Sequence, residues 1–225
     1  MKREFLITGD GSVTIHLPEW NEQYHSKHGA IAEAAHVFIS SGFEYLFQQN
    51  PDSLKELYIL EMGFGTGLNA YLTLLQTFHK KIKIHYTGVD AYPVDTSEVD
   101  KLNYPDLVKG SEALFLKLHE ISWDENTEIT DHFHLLKQKK QFSEVQDENQ
   151  YDLIFFDAFG PRVQPELWTE TIFKAMFRSC RTGGVLVTYS AKGSVRRAME
   201  SVGFKVERLP GPPGKREMLR AIKSS

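Results

Sequence analysis

Residues 60–70 read LEMGFGTGLNA, an apolar run followed by glycines at positions 63, 65 and 67. The run LYILEM (57–62) that leads into it is typical of a buried strand, and a helical pattern follows from Leu68 to about His79. Glycines between a strand and a helix let the backbone turn tightly and bring helix amides close to a ligand. The stretch therefore predicts a nucleotide-binding turn in an α/β sheet.

The spacing of these glycines bears on the choice of nucleotide. GFGTG is GxGxG, whereas a dinucleotide-binding turn has its third glycine one residue later. Glu61 would repel a pyrophosphate but can accept hydrogen bonds from an amino acid's ammonium group, which favours S-adenosylmethionine over NAD. Asp90 ends the next strand, where an acid can bind ribose hydroxyls in either case. The alternatives are a turn with a purely geometric role and a helix-capping Asp90.

Strand-like and helix-like runs alternate from residue 57 onward, which predicts a Rossmann-like α/β fold with a doubly wound, mostly parallel, seven-stranded sheet. The runs FKVERL (204–209) and REMLRAI (216–222) predict an antiparallel pair at one edge, and ITDHFHLL (129–136) is taken as one strand. Before this core we expect an N-terminal hairpin and a helix over about 30–48. A helical insertion is expected within 95–127.

Length and composition indicate one soluble domain over residues 1–225, with the hairpin and helix in 1–50 and the catalytic core in 51–225. The N-terminus lacks a signal-peptide pattern and no apolar run is long enough to span a bilayer, so we expect a cytoplasmic protein without membrane contact. The single cysteine, Cys180, is interpreted as structural. Nine histidines without HExxH or paired spacing predict no metal site.

A second signal lies in YDLIFFDAFGPRVQPELWT (151–169). Asp157 follows an apolar strand, and Ala158 to Pro161 form a rigid turn at the carboxyl edge of the sheet, where open α/β sheets bind ligands. We interpret Asp157 as the acceptor of a hydrogen bond from a substrate amine, with Phe159 packed against the substrate or the transferred group. The alternative is an acidic helix cap with a packing aromatic.

Four segments together resemble the methyltransferase domain of MnmC, the DUF752 family: EMGFGTGLN, DAFGPRVQPELWT, GGVLVTYSAKGSVRRAMESVGF and PGPPGKREM. The resemblance covers about residues 21–223. It implies an S-adenosylmethionine-dependent enzyme that finishes 5-methylaminomethyl-2-thiouridine at the tRNA wobble position. It also implies roles for the cofactor loop (Glu61, Gly63, Gly65, Gly67, Asn69), the ribose-binding acid and its neighbour (Asp90, Ala91), the residues facing the methyl group (Asp157, Phe159, Pro161) and a covering segment (Tyr24, His25, Ser26).

The chain departs from that family in two respects. The FAD-dependent oxidase half of MnmC is not present, so we expect the chain to methylate an aminomethyl uridine that a separate protein supplies. Where the family often has a Gly-Asp pair near the adenine, this chain has LLKQKKQF (135–142), which leaves the adenine contacts around Gln138 open.

The C-terminal part is basic although the formal net charge of the chain is -4. We expect RNA phosphates around a flipped base to contact this region. The predicted contacts are Lys192, Arg196, Arg197, Lys215 and Arg216, with Arg162 and Trp168 as candidates for the anticodon loop. Singly, each charge is also consistent with a solvated surface and Trp168 with the core.

Three other functions compete with tRNA methylation. A small-molecule amine transferase resembling spermidine synthase also places an aspartate after the fourth strand, but gives the basic segments no purpose. A non-catalytic S-adenosylmethionine- or RNA-binding module is disfavoured by the intact DAFGP, and a nicotinamide dehydrogenase by GxGxG and Glu61.

Overall fold

The computed structural model describes residues 2–49 and 54–224. The strands are β1 (Glu4–Ile7), β2 (Val13–Leu17), β3 (Glu22–Gln23), β4 (Glu56–Met62), β5 (Lys83–Val89), β6 (Asn126–Thr130), β7 (Phe133–Gln138), β8 (Tyr151–Phe156), β9 (Cys180–Thr188), β10 (Lys205–Pro210) and β11 (Glu217–Ile222). The helices are α1 (Ala30–Ala34), α2 (Tyr45–Gln49), α3 (Leu68–Thr77), α4 (Thr96–Val99), α5 (Tyr104–Val108), α6 (Glu112–Glu120), α7 (Glu170–Ser179) and α8 (Gly193–Ser201).

The main sheet has eight strands in the order β10-β11-β9-β8-β4-β5-β7-β6. The strands from β9 through β7 in that order run parallel, whereas β6, β11 and β10 are antiparallel to their neighbours. The predicted doubly wound, mostly parallel sheet with an antiparallel edge pair is confirmed. The predicted number of seven strands is wrong, because the run taken as one strand over 129–136 turns at the exposed Asp131 and His132 and forms parts of both β6 and β7.

The two faces of the sheet are both buried, and β8 shows why its sequence is almost continuously apolar. Phe155 packs on Phe38, which lies in the helical segment between β3 and β4, with ring centroids 5.2 Å apart. The next residue, Phe156, faces the other way and packs on Phe173 of α7 at 5.0 Å. Since successive side chains of a strand point to opposite faces, a strand between two helical layers needs apolar residues at every position.

The chain before the main sheet forms a three-stranded sheet, β1-β2-β3, rather than a hairpin alone. The predicted helix that follows is continuous in sequence: α1 passes into a π-helix (Ala35–Glu44) and then into α2. The expected helical insertion contains α4, α5 and α6, although β6 already begins within it. Among the residues described, no helix has both the length and the apolar character needed to cross a bilayer.

The topology places a crevice at the carboxyl edge. From the central strand β4 the chain passes through α3 to β5 on one side, while β8 lies on the other side of β4. Ligands of open α/β sheets bind where the direction of winding changes in this way. The residues that directly follow the carboxyl ends of β4, β5, β8 and β9 are Gly63, Asp90, Asp157 and Tyr189.

Candidate active site

A cavity of about 1080 Å³ opens at the carboxyl edge of the main sheet. Its floor comes from the loops after β4, β5 and β8, and one wall comes from the N-terminal sheet and the segment that follows it. Among the predicted site residues, the cavity is lined by Gly63, Gly65, Asn69, Asp90, Ala91, Asp157, Phe159, Tyr24 and His25.

The glycine turn has the backbone conformation that its sequence requires. Gly63, Gly65 and Gly67 have φ angles of 98°, 49° and 69°, in the left-handed region that glycine adopts without strain. The amide of Gly63 donates to the carbonyl of Val89 at 2.9 Å, which ties the turn to the end of β5. Gly67 directly precedes α3, so the turn delivers the chain into the helix.

Asp90 fixes this turn from the neighbouring strand. Its Oδ2 accepts the amide of Gly65 and its Oδ1 accepts the amide of Tyr92, each at 2.8 Å. Burial raises the pKa of the Asp90 carboxyl, while these two N–H groups act in the opposite direction. Each oxygen retains a lone pair, so the anchored carboxylate can still accept a ribose hydroxyl.

Asn69 joins two carboxylates beneath the turn. Its Nδ2 donates to Glu61 Oε1 and to Asp157 Oδ2, both at 2.9 Å. Glu61 is fully buried, and burial, followed by the nearby Asp157 and Asp90, raises its pKa well above the usual range despite the hydrogen bond from Asn69.

Two buried acceptors in this cluster, Glu61 Oε2 and Asn69 Oδ1, make no hydrogen bond of ordinary geometry among the described residues. The buried hydroxyl of Tyr86, which also lacks such a bond, lies close enough to Glu61 to act as a donor and lower its pKa, so Asn69 Oδ1 is the acceptor with no donor nearby. A buried acceptor without a partner is costly, and an ammonium group carries three N–H donors and a compensating positive charge. The site therefore fits the amino-acid end of a cationic ligand such as S-adenosylmethionine.

Asp157 lies at the junction of the cofactor loop and the open part of the cavity. Its amide donates to the carbonyl of Met62 at 3.0 Å, which fixes the start of the turn after β8. Burial and then the charge of Glu33 raise the pKa of Asp157 to about 7, against the lowering effects of Asn69 and Lys215. An aspartate of this kind takes up and releases a proton near neutral pH.

Aromatic rings surround the turn after Asp157. The ring centroid of Phe159 lies 5.7 Å from that of Trp20 and 5.0 Å from that of Tyr24, both edge-on. The indole of Trp168 donates to the Phe159 carbonyl at 2.7 Å, so Trp168 is a buried support and does not fit the predicted anticodon contact. Trp20 escaped sequence reasoning because no motif marks it. Pro161 is not among the residues that line the cavity.

The N-terminal segment is fastened over the cavity from several sides. His25 contacts Thr14 through Nδ1 at 3.0 Å and Thr66 through Nε2 at 3.4 Å, and burial lowers its pKa to about 4, which keeps the ring neutral. Arg162 Nη2 donates to the carbonyls of Trp20 and Asn21 at 3.3 and 3.1 Å. Arg162 thus holds this segment, while 60% of its side chain remains exposed, and the RNA contact predicted for it stays a prediction.

The predicted RNA-binding residues differ in exposure and in their partners within the chain. Lys192, Arg197 and Arg216 are exposed, and Arg196 pairs with Glu200 one helical turn away at 3.5 Å. Lys215 differs from these four, because its ammonium pairs with Glu33. None of the five lines the cavity.

The segment predicted to approach the adenine, LLKQKKQF (135–142), lines the cavity with its last residues rather than with Gln138. Gln138 uses its carbonyl to accept the amide of Asp90 at 3.1 Å and does not line the cavity. Lys139, Gln141 and Phe142 line it instead.

The remaining predictions concern metals and the cysteine. Within residues 2–49 and 54–224, no three His, Cys, Asp or Glu side chains are grouped so as to hold a metal ion. Cys180 is buried, and burial raises the pKa of its thiol to about 12, as suits a structural residue.

The family of the chain follows from comparison with known proteins. The model of an S-adenosyl-L-methionine-dependent methyltransferase family matches residues 106–224, which is more than half of the chain. The chain belongs to this methyltransferase family. S-adenosyl-L-methionine is therefore its cofactor, in agreement with the unpaired acceptors beside Glu61 and Asn69.

Individual relatives refine this assignment. The bifunctional protein MnmC of tRNA 5-methylaminomethyl-2-thiouridine biosynthesis from Cupriavidus metallidurans is 27% identical over 230 residues, covering 96% of this chain and 33% of that protein. This methyltransferase thus spans about a third of the length of that relative. The crystal structure of MNMC2 from Aquifex aeolicus matches all of the chain and 71% of its own with a TM-score of 0.80 and 25% identity. Spermidine synthase from Thermotoga maritima, at 12% identity and a TM-score of 0.61 over 99% of this chain and 69% of its own, shares the fold alone.

Proposed function

We propose that this methyltransferase acts in the cytoplasm on tRNA and methylates the aminomethyl group of the wobble uridine, giving 5-methylaminomethyl-(2-thio)uridine. The observation that carries the proposal is the placement of Asp157, which Asn69 links to the cofactor-binding Glu61 and which the rings of Phe159, Tyr24 and Trp20 surround. A carboxylate between a methyl-donor site and an aromatic pocket suits an amine attached to a planar base.

The cofactor end of the site is built to hold a cation. S-adenosylmethionine supplies, when bound, a methyl group on a sulfonium that an amine can displace in line. Glu61 Oε2 and Asn69 Oδ1 would accept from the ammonium, and Asp90 would accept from the ribose hydroxyls. The chain thereby fixes the donor without a covalent intermediate, so that positioning carries most of the catalysis.

Asp157 is also the group that we assign to the proton of the amine. A primary alkylamine has a pKa near that of lysine, about 10.4, and therefore arrives as an ammonium that has no free electron pair. Asp157 Oδ2 is held by Asn69, which leaves Oδ1 to accept that proton. With a pKa of about 7 rather than 3.8, Asp157 is a stronger base than an ordinary aspartate while remaining ionised above neutral pH. The transfer is still unfavourable by roughly three pKa units, so burial of the amine must lower its pKa to supply the rest.

The aromatic pocket and the exposed cations suit a nucleic-acid substrate. An unstacked base can lie against Phe159, Tyr24 or Trp20, as flipped bases do against aromatic side chains. Lys192, Arg197 and Arg216 remain available for phosphates of the surrounding strand. The likeness to MnmC over nearly the whole chain supports tRNA over a free polyamine.

The test is methyl transfer from labelled S-adenosylmethionine to bulk tRNA from a strain that lacks wobble methylation, followed by digestion to nucleosides. We expect the label in a methylaminomethyl uridine. Transfer confined to polyamines or other small amines would contradict the proposal, and Asp157→Ala serves as the inactive control.

A further inference from the structure

Lys215 lies in the turn between β10 and β11, where its partly buried side chain contacts two other residues. Its ammonium pairs with Glu33 Oε1, and it stands 3.8 Å from the ring centroid of Tyr189. About a third of its side chain is exposed, compared with 9% for the Glu33 side chain. The ammonium therefore satisfies a nearly buried carboxylate.

Glu33 connects Lys215 to the wall of the cavity. Its other oxygen, Oε2, accepts the amide of Ser26 at 2.8 Å. Ser26 directly follows Tyr24 and His25, which both line the cavity. The position of this wall thus depends on a carboxylate whose charge only Lys215 balances by an ion pair among the described residues.

Tyr189 connects Lys215 to the opposite wall. Its hydroxyl donates to the carbonyl of Ala158 at 2.8 Å, and Ala158 lies between Asp157 and Phe159. The cation beneath the Tyr189 ring holds that ring by a cation–π contact. The Lys215 ammonium therefore contacts both Glu33, which holds the N-terminal wall, and Tyr189, which holds the turn that carries Asp157.

We propose that Lys215 is a positioning residue for methyl transfer rather than a residue that binds RNA phosphate. Through Glu33 it fixes the position of residues 24–26, and through Tyr189 it fixes the position of the Asp157 turn. The consequence for catalysis rests on the proposed function. The contacts themselves do not, because they exist within the chain without substrate.

The charges of this ion pair also reach the reacting group. Glu33 raises the pKa of Asp157 and Lys215 lowers it. Loss of the lysine alone would leave a buried carboxylate with one hydrogen-bond donor and no counter-charge, which favours rearrangement of the segment it holds.

The experiment compares Lys215→Met, Lys215→Arg and Lys205→Met. Lys205 is a matched control, because it lies on the same hairpin, is exposed, and its side chain makes no hydrogen bond or ion pair with any residue that the structure describes. Hydrogen exchange at the Ser26 amide and tryptic cleavage after Lys27 report on the wall without any tRNA. Both are measured with the whole chain, after circular dichroism and thermal melting have shown each variant to be folded.

We expect Lys215→Met to speed exchange at Ser26 and cleavage after Lys27 by about tenfold or more, while Lys215→Arg restores slow rates and Lys205→Met matches the wild type. In methyl transfer, kcat of Lys215→Met should fall by roughly tenfold to a hundredfold with little change in KM for tRNA, since small displacements at a reacting centre have effects of that size. Arg216→Ala should instead raise KM for tRNA with little change in kcat.

Unchanged exchange and cleavage in a folded Lys215→Met would overturn the proposal, and so would a raised KM for tRNA with kcat unchanged. If the wild type methylates no tRNA, the proposed function fails, whereas faster exchange at Ser26 in Lys215→Met would still support the positioning role.

Discussion

The backbone carbonyl of Asp157 lies against Gly63, so that the turn after β8 rests on the turn after β4. A Cβ on Gly63 would stand 2.6 Å from that oxygen, closer than real Cβ atoms approach any atom, and the φ of 98° adds strain. The conformation of the glycine turn and the position of Asp157 therefore depend on each other.

Gly63→Ala should accordingly abolish both S-adenosylmethionine binding and methyl transfer. Gly183→Ala is the matched control, because Gly183 has a φ of 79° but nothing lies within 4 Å of its Cβ position. The control should cost only the left-handed strain, about 1–2 kcal/mol of unfolding free energy, and leave binding intact. Isothermal titration calorimetry measures S-adenosylmethionine binding, and thermal melting measures stability. Equal losses of binding in Gly63→Ala and Gly183→Ala would refute the packing argument.

Glu61→Gln should weaken cofactor binding and stabilise the free enzyme. The substitution removes one charge-assisted hydrogen bond, so S-adenosylmethionine affinity should fall by roughly tenfold to a hundredfold. In the folded protein the pKa of Glu61 is raised above its unfolded value, so its ionisation costs stability as the pH rises from about 4. The gain in Tm for Glu61→Gln should consequently be larger at pH 8 than at pH 5, and a gain independent of pH would contradict this account.

Cofactor binding should release protons. Burial raises the pKa values of Glu61, Asp90 and Asp157 in the free protein, and a cationic ligand favours their ionised forms. The affinity should therefore increase as the pH rises from 5 to 8. Calorimetry at pH 6 in two buffers of different ionisation enthalpy counts the protons released, and Asp157→Asn should release fewer than the wild type.

Asp157→Ala should lose methyl transfer and retain S-adenosylmethionine binding, because the proposed role of Asp157 concerns the amine. In the wild type, kcat/KM should rise with pH through about 7 as the carboxyl loses its proton. Loss of cofactor binding in Asp157→Ala would assign Asp157 to the donor instead.

Neutralising the exposed cations should affect tRNA and spare the cofactor. In Lys192→Ala and Arg197→Ala we expect a raised KM for tRNA and a shallower dependence of log KM on log salt concentration, since each phosphate contact contributes roughly one unit to that slope. S-adenosylmethionine affinity should stay at the wild-type value. Lys205→Ala, on the same basic C-terminal part, provides the comparison.

Much of the site was predictable because it lies in local sequence. Gly63, Asp90 and Asp157 each follow an apolar strand, and parallel strands bring their carboxyl ends to one edge of a sheet. The strand count failed at 129–136 because a two-residue turn at polar residues does not interrupt the apolar pattern. The intramolecular partners of Lys215 and Arg162 were not predictable, since a charged residue in a sequence carries no sign of whether its partner is solvent, RNA or a distant carboxylate.

The sequence by itself determined the fold class, the cofactor and the residues at the strand ends, because strand periodicity and glycine turns act over a few neighbouring residues. Only the tertiary structure decided that Asn69 bridges Glu61 and Asp157, that Trp20 and Tyr24 flank Phe159, and that Lys215 of the C-terminal hairpin pairs with Glu33. Trp20 and Tyr24 lie more than a hundred residues from Phe159, as Glu33 does from Lys215, and contacts over such separations arise from the packing of whole elements.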